Sequence, residues 1–170
     1  MKRPPRFREK GEAVRIGIDI FGCDHGRSGI GSYVRSLVGA IPVDGRNQIE
    51  LFGPEIDRYT YNAERRNIRF HGFSLPDNPQ AERLWHDLFA QGAVKKAKYD
   101  VILYAAATRG LPPAFKAPSV AVVNEVFSKL FFSIDMAHYD SIKKRLARAP
   151  KIIAASQFIQ KDLVNLGFDP

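Results

Sequence analysis

Short apolar runs alternate with longer amphipathic segments along the chain. Residues 14–20 (VRIGIDI) are rich in β-branched side chains and read as a strand. A polar, glycine-containing loop follows over 21–28. Then Ile30, Tyr33, Val34, Leu37, Val38 and Ile41 recur at helical spacing, which predicts a helix over 29–41 with Ser28 as N-cap and Pro42 as its stop. Further strands are expected at 48–52, closed by Gly53-Pro54, and at 67–73. Residues 77–98 read as one long helix, capped by Asp77, with Pro79 in its first turn and Leu84, Trp85, Leu88, Phe89 and Val94 as its apolar side. Strands at 99–104 and 118–123 come next. A helix over 134–149 carries the stripe Met136, Tyr139, Ile142 and Leu146. The pattern ends with a strand at 151–155 and a helix at 156–166, between Ser156 as N-cap and Gly167 as C-cap.

Strand and helix alternate throughout, and several strands are almost wholly apolar, as when both faces are covered. The expected fold class is therefore α/β: an open, mainly parallel sheet with right-handed crossovers and helices on both faces. Its ligands would bind outside the carboxyl ends of the strands, where the strand order reverses. Residues 14–170 form this one domain. Residues 1–13, with Lys2, Arg3, Arg6, Arg8 and Lys10 around Pro4-Pro5, read as a basic flexible arm.

Composition narrows the function classes. The 170 residues are 45% apolar and 26% charged, which is a globular profile. Cys23 is the only cysteine, so neither an intrachain disulfide nor a cysteine-rich zinc site can form, and no HExxH-type spacing occurs. The formal net charge of +8 favours anionic partners. No apolar run approaches the roughly 20 residues of a membrane-spanning helix, and no secretory signal is present at the start. The expectation is a cytoplasmic protein, with peripheral contact at the inner face of an anionic membrane as an option for the arm and for Lys143, Lys144, Arg145, Arg148 and Lys151. A solvated helix face is the ordinary reading of the latter run, with membrane contact second to it. Nucleic acid is not an expected partner, because no recognition motif is present.

The residues that follow the strands hold the candidate chemistry. Gly26-Arg27-Ser28-Gly29-Ile30-Gly31-Ser32-Tyr33 joins glycines to a helix N-terminus, a setting for a phosphate or a sugar hydroxyl, with His25 and Arg27 beside it. The same glycines also suit a loop that simply needs their backbone freedom. A dinucleotide fingerprint fails, since its third glycine position is Val34 and the glycines start too far from the strand. A P-loop fails for want of Gly-Lys-Ser/Thr. After the strand at 99–104, the small residues Ala105–Ala107 lead to Arg109, which either faces an anion or is solvated. After the strand at 118–123 come Asn124 and Glu125, then the apolar stretch 126–132, either core or a contact surface. His71, His86 and His138 read as surface or partly buried histidines.

Three segments, 16–41 (IGIDIFGCDHGRSGIGSYVRSLVGAI), 117–128 (APSVAVVNEVFS) and 145–170 (RLARAPKIIAASQFIQKDLVNLGFDP), together resemble the N-terminal domain of family-4 glycosyltransferases of the GT-B fold. The last is the most specific, with its alanine-rich helix, strand, Ser-x-Phe and Leu-Gly. The resemblance implies one Rossmann-like half of a two-domain enzyme. The N-terminal half holds a carbohydrate or lipid-linked acceptor, while the C-terminal half binds a nucleotide-sugar donor and carries a Glu-x7-Glu motif. It implies transfer with retention, and no cofactor or metal beyond the nucleotide-sugar as donor substrate. Gly29 and Gly31 match the family's glycine loop, Tyr33 its aromatic position, and Ser156 the serine opening the last helix. Together with Arg109 and Asn124, these are the candidate substrate-binding residues. Asn124-Glu125 stands where the family has His-Asp, and asparagine hydrogen-bonds a hydroxyl but exchanges no proton near neutral pH. The catalytic residues therefore stay open. The donor-binding half is not within these residues: the sequence is a piece of a longer protein, or that half is a partner chain, or the domain is a remnant. A sugar- or phosphate-binding module without catalysis is the alternative, and either way the domain alone is expected to be inactive.

Overall fold

A computed structural model describes residues 13–42, 47–61, 68–132 and 134–169. Its centre is a six-stranded, wholly parallel sheet: β1 (Arg15–Asp19), β2 (Gln48–Pro54), β3 (Ile68–Phe73), β4 (Val101–Tyr104), β5 (Ser119–Val123) and β6 (Lys151–Ala154). The spatial order is β3-β2-β1-β4-β5-β6. Strand order reverses between β1 and β4, which makes the gap between their carboxyl ends the expected ligand position in an open sheet of this Rossmann-like kind.

The helices are α1 (Gly29–Ala40), α2 (Pro79–Leu88), α3 (Ala90–Ala97), α4 (Phe127–Leu130), α5 (Met136–Leu146) and α6 (Gln157–Asn165). Side-chain alternation along the strands divides the core in two. Ile18, Ile49 and Leu51 pack with Ile30, Val34 and Val38 of α1 on one face. Phe52, Ile102, Tyr104, Ala121 and Val123 pack with α2 to α6 on the other. The caps are local and legible: the hydroxyls of Ser28 and Ser156 accept from the N–H groups of Gly31 and Ile159, each at 3.2 Å.

Several expectations need correction. The segment 77–98 is two helices that meet at Phe89, and the cap of the first is Asn78, whose side chain accepts from the Ala81 N–H at 2.8 Å. Asp77 is instead drawn to His25. Of the predicted apolar side, Trp85 and Val94 are buried, whereas Leu84, Leu88 and Phe89 are exposed. The reason is His86, which bonds Asp19 of β1 and so rotates the Trp85–His86 flank of α2 inward. Finally, the stretch 126–132 contains the short α4, which buries Phe127 and Leu130 in the core and leaves Phe131 and Phe132 exposed, and Met136 of the α5 stripe is exposed as well. The basic arm lies, save for Ala13, outside the described residues, as does Asn67 of the third predicted strand. Among the described residues no helix is long and apolar enough to cross a membrane.

Candidate functional site

Asp19 ends β1 inside the protein. Its Oδ1 accepts from the Phe21 N–H at 2.9 Å, and its Oδ2 lies 2.8 Å from His86 Nε2. His86 Nδ1 lies 2.9 Å from the Glu82 carbonyl, which can only accept. Both ring nitrogens thus donate, and the pair is imidazolium with carboxylate. Burial pushes the His86 pKa down, but the charge and hydrogen bond of Asp19 outweigh it, and the net direction is upward. Both side chains are sealed from water, so the pair holds α2 against β1 and leaves no nitrogen for a ligand.

The loop after β1 turns sharply. Gly22, Asp24, His25 and Gly26 all have positive φ, of 73°, 49°, 52° and 76°. Glycine supplies two of these at no steric cost, while Asp and His are among the side chains that tolerate this region. The turn aims His25 sideways, with Nδ1 2.9 Å from Asp57 and Nε2 3.0 Å from Asp77. Burial lowers the His25 pKa, but the two carboxylates outweigh it and raise it overall. Cys23 is buried beneath this turn. Burial, and then Asp19 and Asp57, push its thiol pKa well up, so it stays protonated and unreactive.

A cleft of about 270 Å³ opens at the reversal point. The β1 loop supplies Gly22 and Asp24, α2 supplies Glu82 and Arg83, the β4 loop Thr108 and Arg109, the β5 exit Glu125, and α5 His138. Glu125 accepts from the Thr108 hydroxyl and from Arg109 Nε, the latter at 3.3 Å. Burial, partly offset by His86, raises the Glu82 pKa. A smaller cavity of about 80 Å³ shares Arg83, Arg109 and His138 with the cleft and adds Arg145 and Asp87.

The predicted site residues are thus brought together only in part. Arg109 and Glu125 line the cleft. Asn124 turns away, its amide donating to the Ala105 carbonyl at 2.9 Å and tying the β5 exit to the β4 exit. Gly29, Gly31 and Tyr33 are not in its lining. A Cβ on Gly31 would collide with the Gly26 backbone and stand 2.6 Å from the Cys23 carbonyl, so this glycine admits the chain's own loop. A Cβ on Gly29 would meet nothing within 4 Å. Tyr33 packs half-buried against the α1-side core. Ser156 lies apart, in a groove at the end of β6 with Gln157, Gln160 and Phe168.

Nothing in the sequence analysis singled out Asp19, Glu82 or Arg83, and His86, expected at the surface or partly buried, is instead sealed in the core by its bond to Asp19. An acid ending the apolar run IGIDI, and a histidine directly after the buried Trp85, were the available signals. No protein-family model matches the chain, and no curated protein matches it at a significant level. What the fold itself defines is a parallel, Rossmann-like α/β domain with a mixed-charge cleft at its reversal point.

Proposed function

We propose that this domain is the acceptor-side half of a retaining nucleotide-sugar glycosyltransferase, with the cleft between the β1, β4 and β5 exits as its acceptor site. One observation carries the reading: Glu125, at the strand exit where the resembling family has its His-Asp pair, faces the cleft at the point where the strand order reverses. Its carboxylate is oriented by Thr108 and Arg109, and a carboxylate so held accepts a hydrogen bond from a sugar hydroxyl. Asp24 and Glu82 offer further acceptors around the same space. Under this reading the donor is held from outside these 170 residues; the acceptor hydroxyl oxygen bonds the donor's anomeric carbon on the face from which the phosphate departs, the sugar–phosphate bond breaks, and the hydroxyl proton passes to the departing phosphate oxygen.

A binding module without catalysis is the second reading. It is favoured by Asn124, which cannot exchange a proton and whose amide is already engaged by a backbone carbonyl.

Amide NMR with a panel of saccharides and UDP- and GDP-sugars tests the proposal. Saccharides are expected to shift Gly22, Asp24, Arg109 and Glu125, and nucleotide-sugars to bind weakly. Shifts confined to the opposite edge of the sheet would remove the cleft from consideration. Tight nucleotide-sugar binding by this domain alone would contradict a divided site. Sugar transfer when a donor-binding domain is supplied, lost in Glu125→Gln, separates the enzyme from the module.

A further inference from the structure

The charges around the cleft are not evenly mixed. Asp24, Glu82 and Glu125 line the larger cavity and not the smaller one. The carboxylate that lines the smaller one is Asp87, and Arg145 engages it while also donating to the Leu111 carbonyl at 2.6 Å. That leaves Arg83 and Arg109, with His138, on the shared wall. Arg83 is half-buried and has no hydrogen bond or ion pair among the described residues. A half-buried guanidinium without a partner forgoes part of its hydration for no return in the free protein. Arg109 spends Nε on Glu125, which leaves its terminal amino groups for a ligand.

We propose that Arg83, Arg109 and His138 form an oxyanion subsite for a phosphomonoester, so that the ligand of the cleft is a phosphorylated polyol or sugar. Its phosphate sits in the small cationic cavity, and its hydroxyls reach the carboxylates of the larger one. Two guanidinium groups grip a tetrahedral oxyanion by paired N–H donors, which a neutral sugar does not need. The inference rests on the proposed acceptor site for its hydroxyl half; the phosphate half stands on the arginines alone.

His138 reports the local field. Burial lowers its pKa, Arg83 and Arg145 lower it further, and Asp135 and Asp87 oppose them. A bound dianion would reverse that balance.

The experiment is an NMR titration of the histidine rings with inorganic phosphate, a hexose phosphate and the parent hexose. Phosphate is expected to raise the His138 pKa and leave that of His25, which lines neither the cleft nor the smaller cavity, unchanged. Arg83→Gln is expected to weaken phosphate binding about tenfold or more, the worth of one charged hydrogen-bonded contact, and Arg83→Lys to recover part of it. Because Arg83 has no partner to lose among the described residues, the variant's thermal unfolding midpoint should not move. Vesicles of zwitterionic lipid with and without phosphatidic acid form the second arm. Sedimentation that depends on both phosphatidic acid and Arg83 assigns the phosphomonoester to a lipid headgroup; hexose-phosphate binding without it assigns a soluble ligand. Phosphate that leaves His138 unmoved, or Arg83→Gln that binds phosphate as tightly as the parent, overturns the subsite. Phosphate binding with no response to any saccharide keeps the subsite and removes the acceptor reading instead.

Discussion

His86 on α2 and Asp19 at the end of β1 form an ion pair 2.8 Å apart with both side chains sealed from solvent. Sixty-seven residues separate them in sequence. The pair sets the rotation of α2, and with it which of that helix's side chains reach the cleft: Glu82 and Arg83, one turn before His86, do so because His86 points inward.

Replacing Asp19 with Asn should destabilise the domain by about 3 kcal/mol, because it strands a buried imidazolium. Urea unfolding followed by circular dichroism measures this. The pH dependence has a defined sign. The folded His86 pKa lies above the ordinary 6.5, so its contribution is complete below that value and is lost as pH rises through the folded pKa. Asp19→Asn should flatten that part of the stability profile. An unchanged slope would mean that another group governs it.

His25 joins the β1 loop to Asp57 and Asp77, which lie on separate segments. His25→Asn keeps a residue tolerant of the positive φ but cannot span both carboxylates. Faster amide exchange is expected in Glu55–Asp57 and in 77–79, with β4 and β5 unaffected. In the parent protein the raised pKa predicts the same loosening as pH climbs above 6.5 and through the folded value.

The two glycines at the start of α1 should behave oppositely. Gly31→Ala drives a methyl into the Cys23–Gly26 backbone and should cost about 2 kcal/mol. Gly29→Ala meets nothing within 4 Å and should be neutral or slightly stabilising. Thermal unfolding of the two variants settles it. Equal effects would show that the loop does not press on the helix as described.

Trp85→Ala should cost about 3–5 kcal/mol, since the ring packs between Phe21, Phe52 and Phe73. Leu88→Gln, only three residues on, should change stability by about 0.5 kcal/mol or less, because Leu88 is exposed. Comparable losses in chemical denaturation would place Leu88 in the core after all.

The periodicity of the chain alone determined the α/β class, the position of nearly every strand and the serine caps. These depend on contacts a few residues apart: alternation in a strand, the 3.6-residue repeat in a helix, a hydroxyl three residues from the N–H it accepts. Tertiary structure decided which face of α2 is buried. Spacing alone offers Leu84, Leu88 and Phe89 as readily as Trp85; only Trp85 is buried, beside His86, whose bond reaches a strand 67 residues away. It also decided the site. Gly31 and Asn124 were attractive by type, yet their surroundings are the chain's own backbone. Arg83 was unremarkable in the sequence, and stands out only because folding half-buries it beside Arg109 and His138 without bringing it a carboxylate among the described residues. Burial and the absence of a partner belong to the packed molecule, and local sequence spacing carries no trace of either.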